Sequence, residues 1–138
     1  MSTSLSPYIG FRDNAREAMD FYHSVFGGEL QSSTFADFHA SEDPAEQDLI
    51  MHSQLVTPNG LILMASDTPG SMTFEEGARI TVALFGDDDA ELGGYWDRLA
   101  AGGSVQEPLT TSPWGDRFGM LTDRFGVHWM VNISGASA

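Results

Sequence analysis

Asn59-Gly60-Leu61-Ile62-Leu63-Met64 and, in the second half of the chain, Phe125-Gly126-Val127-His128-Trp129-Met130 share one plan: a turn residue, a glycine, then an apolar run ending in methionine. The surroundings repeat as well. Upstream of the first copy, Asn14 opens an apolar stripe of Ala15, Ala18, Met19, Tyr22, Val25 and Phe26, and Gly27-Gly28 closes it. Upstream of the second, Asp88 opens a stripe of Leu92, Tyr95, Trp96, Leu99 and Ala100, and Gly102-Gly103 closes it. Spacing of i, i+3, i+4, i+7 is that of one helical face, and a glycine after the last apolar residue stops a helix because it tolerates the left-handed C-cap. Asn14, with Glu17 three residues on, reads as a variant capping box. Asp87, Asp88 and Asp89 place negative charge at the positive end of the second helix.

Short strand patterns fill the rest. In the first half they fall at about 7–11, 30–38, 49–57 and 61–66, with Pro58-Asn59-Gly60 as a hairpin turn. In the second they fall at about 80–85, 105–111, 117–122 and 127–133, with a turn at 123–126. Each half therefore reads strand, helix, strand, strand, strand. The fold class is α+β, two tandem βαβββ modules at about 5–67 and 79–133, joined by a linker at about 68–78. Half of 138 residues is a small unit to stand alone, so a single domain sharing one core is expected.

Composition narrows the function classes. The chain carries 20 acidic residues against 6 basic ones, all arginine, for a formal charge of −14. Such a surface repels nucleic acid and anionic membrane, and the absence of lysine excludes Schiff-base chemistry on a side chain. A neutral or cationic small molecule is the easier partner. With no cysteine there is no disulfide and no thiolate metal site. No apolar run approaches the roughly 20 residues of a membrane span, and residues 1–7 lack the regions of a signal peptide, so a cytoplasmic location is expected.

Side chains capable of chemistry are few. No Gly-x-Ser-x-Gly elbow and no Gly-x-Gly-x-x-Gly loop is present. Trp114, Asp116, Phe118, Met120 and Thr122 alternate, so as one strand they would share a face, and a carboxylate among aromatics reads either as part of a pocket wall or as a group that caps a turn or pairs with Arg117 or Arg124. His128 shares a face with Met130, and His52 with Gln54. These histidines read as pocket or core residues, or as parts of a displaced metal site. Asp37, Glu42, Asp43, Glu46 and Asp48 read as a solvated charge run, Asp67 as a turn residue, and His23 and His39 as surface groups.

Tyr8-Ile9-Gly10-Phe11, Asn14-Ala15-Arg16-Glu17-Ala18-Met19, Phe21-Tyr22 and Val25-Phe26-Gly27-Gly28-Glu29-Leu30 resemble the opening of proteins of the vicinal oxygen chelate superfamily, which spans glyoxalases, bleomycin-resistance proteins and dioxygenases. The closing segment from Trp114 to Met130 resembles the PhnB-like branch in particular. The resemblance implies a U-shaped half-barrel cavity and usually a homodimer. It implies activities from metal-dependent isomerases, thiol transferases and ring-cleaving dioxygenases to metal-free drug sequestration. Part of the branch is labelled ubiquinone methyltransferase, chemistry for which this sequence shows no nucleotide-type loop. In the metal enzymes, the first and last strands of each module supply ligands at positions that fall here near Pro7, Met64, Thr81 and Met130. None is His, Glu, Asp or Gln, and a thioether is a poor ligand for the divalent ions concerned.

The resulting expectation is a metal-independent small-molecule-binding protein without cofactor, holding an aromatic or cationic compound. Met64, Thr81, Trp114, Asp116, Phe118, Met130, His52 and His128 are its expected ligand-binding residues. One alternative is a divalent-metal lyase, isomerase or dioxygenase with a displaced site of His52, His128 and a carboxylate. Another is a structural or interaction module whose cavity is filled.

Overall fold

The computed structural model describes residues 5–39, 41–70 and 80–135. It divides into two compact units, Met1–Glu76 and Gly77–Ala138. Most of the linker expected at about 68–78 lies outside the described residues.

In the first unit the order is β1 (Tyr8–Phe11), α1 (Ala15–Phe26), β2 (Glu29–Thr34), β3 (Ile50–Val56) and β4 (Ile62–Asp67), with one turn of 3-10 helix at Pro44–Glu46. The sheet runs β1-β4-β3-β2, and β1 lies parallel to β4. The second unit repeats this with β5 (Val82–Gly86), α2 (Asp89–Ala100), β6 (Ser104–Thr111), β7 (Arg117–Thr122) and β8 (His128–Ile133). Its sheet runs β5-β8-β7-β6, with β5 parallel to β8. Each unit is thus the βαβββ module read from the sequence.

Each sheet buries one face under its helix. The stripe of α1 is buried along its whole length, against Ser53, Leu55, Leu63, Ala65 and Asp67 of the alternate strand positions. In the second unit Leu92, Tyr95, Trp96 and Leu99 cover Leu121, Trp129, Val131 and Ile133. Each large apolar side chain withdrawn from water in this way stabilises by about 1.5–3 kcal/mol. Period-two burial then leaves the other face of each sheet open.

The double glycines have a physical reason beyond stopping a helix. At Gly28 the backbone has φ +94°, and a Cβ there would stand 2.0 Å from the Val56 carbonyl oxygen. At Gly103 a Cβ would stand 2.3 Å from the Thr122 carbonyl oxygen. In both modules the second glycine lets the chain leaving the helix pass against a strand end. The hairpin turns repeat too. Thr57 N–H donates to the Leu61 carbonyl at 2.9 Å, and Asp123 N–H to the Val127 carbonyl at 2.9 Å. The Thr57 hydroxyl accepts from Leu61 N–H at 2.9 Å, as an Asp123 carboxylate oxygen accepts from Val127 N–H at 3.1 Å.

Three local expectations are corrected. Asn14 makes no side-chain capping bond. The cap comes from Asp67, at 3% exposure, which accepts from Ala15 N–H at 2.9 Å and from Ile50 N–H at 2.9 Å. Asp67 is therefore a buried cap across the fold rather than a turn residue. Asp88 does cap α2, accepting from Glu91 N–H at 3.0 Å. The strand expected at 30–38 ends at Thr34. Thr34 N–H donates to the Asp37 carboxylate at 2.8 Å and Asp37 N–H to the Thr34 hydroxyl at 3.1 Å, and such local bonds compete with a sheet ladder.

The acidic run after it is built rather than merely solvated. Glu46 accepts from the Ser41 hydroxyl at 2.6 Å and from Gly70 N–H at 2.7 Å. Asp43 accepts from Ala45 N–H at 2.9 Å. Among the described residues no helix is long and apolar enough to cross a membrane.

Candidate functional site

On the open face of the first sheet, Tyr8 pairs with Met64 in the parallel ladder, Met64 faces Gln54 and Gln54 faces Gln31. His52 lies on the same face, two residues from Gln54. Its Nδ1 is 3.3 Å from the Tyr8 hydroxyl, and the two rings lie 5.8 Å apart. The result is an aromatic and thioether patch edged by amides.

On the open face of the second sheet, Met130 lies between Ala83 and Met120. Asn132 lies between Phe85 and Phe118, and His128 faces Thr122. Phe85 is 77% exposed, a large apolar ring that the fold leaves uncovered. The Thr122 hydroxyl is 2.9 Å from His128 Nδ1 and donates to the Gln106 side-chain oxygen at 3.1 Å. Thr81 stands just before β5, half-buried.

Of the expected site residues, Met64 and His52 share one face of the first sheet, while Phe118, His128 and Met130 share one face of the second. Trp114 and Asp116 do not continue the β7 alternation, because the strand begins at Arg117. They belong to the β6–β7 connection, where Trp114 is 67% exposed. Asp116 accepts from Gly135 N–H at 2.9 Å and from the Asn132 amide at 3.2 Å, so both its oxygens clamp the connection to the end of β8. The Gly135 N–H, then the Asn132 amide and more weakly the Trp114 indole, hold its carboxyl below the ordinary 3.8. The arginines considered as its partners are engaged elsewhere: Arg117 pairs with Asp89, and Arg124 donates to the Ala101 carbonyl at 2.9 Å.

Tyr8, Phe85 and Gln106 are open-face residues that the sequence reading did not place there, whereas Thr122 keeps the face it was expected to share with Phe118 and Met120. Phe85 alternates with Ala83, so period two could have found it. The Tyr8–His52 and Thr122–Gln106 contacts cross strands, and only the register reveals them.

A separate groove of about 600 Å³ runs beside α2, lined by Trp96, Asp97, Val105, Pro108 and Leu109 among others. Val105 pairs with Leu121, whose side lies under the helix, so this groove is not part of the open face.

The register also tests the fit to a metal. Beside Met64 stands Tyr8 and beside Met130 stands Ala83. A thioether with a phenol, and a thioether with a methyl group, do not make a hard divalent-ion site, which wants carboxylate, imidazole or water oxygen. Among the described residues no group of three or more His, Cys, Asp and Glu is arranged to hold an ion.

Two open four-stranded sheets, each βαβββ with its first strand parallel to its last, define a glyoxalase-like α+β protein. Residues 6–131 match the family described as the Glyoxalase/Bleomycin resistance protein/Dioxygenase superfamily, and the chain belongs to it. Protein PA1353 from Pseudomonas aeruginosa is 41% identical and superposes with a TM-score of 0.81, covering 97% of this chain and 99% of that one. Protein YjdN of Escherichia coli K12 is 29% identical over 94% of both chains. A Bacillus cereus PhnB protein, named as a putative 3-demethylubiquinone-9 3-methyltransferase, shares the fold at 23% identity with a TM-score of 0.70, covering 96% of this chain and 100% of that one.

Proposed function

We propose that this is a metal-independent small-molecule-binding protein of the glyoxalase/bleomycin-resistance type, acting as a cytoplasmic homodimer that sequesters an aromatic or cationic compound. The observation that carries the reading is the occupancy of the last-strand positions by Met64 and Met130, each beside a side chain unsuited to an ion. The ligand lies on an open sheet face. Met64 gives the face of the first sheet an adaptable apolar lining, Met120 and Met130 do the same for the second, and on that second face Phe118 and Phe85 offer aromatic rings that attract a cation. The charge of −14 favours a cation electrostatically. Sequestration needs affinity alone, so no residue is assigned a chemical step. Trp114 and Thr81 stand at the rim, and Asp116 acts as the clamp that holds it.

A thermal-shift screen of the purified chain against aromatic and cationic compounds, and separately against nickel, zinc, manganese and ferrous ions, tests this. An organic compound should raise the melting temperature. A large shift from an ion, with none from the compounds, would favour the displaced-site enzyme instead.

A further inference from the structure

We propose that Gln106, Thr122 and His128 form a relay that fixes the proton of the His128 ring on Nδ1. Its Nε2 then stands on the open face of the second sheet as a neutral acceptor for an N–H or O–H donor of the bound compound. This rests on the ligand-binding reading above and narrows its ligand class.

The argument is one of proton inventory. The Thr122 hydroxyl has a single proton, and it donates to the Gln106 side-chain oxygen at 3.1 Å. An amide oxygen only accepts. The 2.9 Å contact between Thr122 Oγ1 and His128 Nδ1 must then draw its proton from the ring. A neutral imidazole protonated on Nδ1 carries its lone pair on Nε2. Among the described residues Nε2 has no protein partner. The ring itself is half-buried and held by the ladder, since Thr122 and His128 are direct cross-strand partners. Two residues along the strand, Met130 and its partner Met120 supply an apolar shelf. A compound that fits carries a phenol, amide N–H or ammonium group joined to an apolar or aromatic body. Gln106 and Thr122 are positioning residues, acting through His128.

Long-range proton–nitrogen NMR of the full chain with labelled histidine, in mildly alkaline buffer where imidazole is neutral, reads the tautomer directly. His128 should appear as the Nδ1–H form. Thr122→Val should move it toward the Nε2–H form, and Thr122→Ser should keep it. Titration with p-cresol should then displace the Nε2 resonance, whereas 4-methylanisole, the same body with its donor blocked, should leave it in place. Thr122→Val should weaken p-cresol binding about five-fold, the worth of one ordinary hydrogen bond. An Nε2–H form in the unaltered chain overturns the inference even where a compound binds the face, and so does an equal displacement by both compounds. An Nδ1–H form with neither compound disturbing any open-face residue overturns the binding reading, and the acceptor role with it.

Discussion

Asp67 is a carboxylate with almost no access to water, and both of its oxygens are used: one holds the first N–H of α1, the other the first residue of β3. Bonds to a charged acceptor are worth about 1.5–3 kcal/mol each, so Asp67→Ala should destabilise the chain by roughly 3 kcal/mol or more in denaturant melts. Ser53 is the opposite case. Among the described residues its hydroxyl is the buried side-chain polar atom without a partner. Ser53→Ala should leave stability unchanged or raise it by about 1 kcal/mol, since an unmet buried hydroxyl is itself a cost. Asp116 gives a pH signature. Its folded carboxyl is held below 3.8, first by the Gly135 N–H and then by Asn132 and Trp114. Its contribution is therefore complete above the unfolded value and is lost as pH falls through the folded one. Asp116→Ala should lower the melting temperature at neutral pH, and the gap to the unaltered chain should close as the pH drops below 3.8. These roles were the least legible features of the sequence. Asp67 reads there as a turn residue because its partners, Ala15 and Ile50, are distant in the chain, and Asp116 shows its clamp only once β8 lies beside it.

Elements were far easier to read than residues. The stripe of α1 was legible in full, because helical period and burial are two expressions of one geometry. The glycines that end each helix were legible as stops, although their second function, close backbone approach, needs the strand they pass. Gly28→Ala should therefore unfold or severely destabilise the protein, as its Cβ would stand 2.0 Å from a backbone oxygen at a positive φ. Gly93, inside α2, meets nothing within 4 Å. Gly93→Ala should stabilise by about 0.5–1 kcal/mol, the difference in helix propensity, and a thermal melt of the two variants side by side separates the two kinds of glycine. The strand expected at 30–38 was over-extended because Thr34 and Asp37 are compatible with either a strand or a turn, and their reciprocal hydrogen bonds select the turn.

At the scale of the molecule the duplication decides most of what is known. Two modules, each with a helical stripe closed by a double glycine and a turn leading into its last strand, were visible as repeated letters, and the family match over residues 6–131 agrees with them. Function was legible only as a scaffold and a pair of methionines. The sequence placed Met64 and Met130 by motif, with Pro7 and Thr81 as the matching first-strand positions; the register sets Tyr8 and Ala83 beside them instead, and neither makes up for a thioether as a ligand for a hard ion. The central claim, binding without a metal, is tested most directly by calorimetric titration of the best compound from the thermal screen, with and without a chelator present. The affinity should be the same in both. An affinity lost in the chelator and restored by a divalent ion would contradict it.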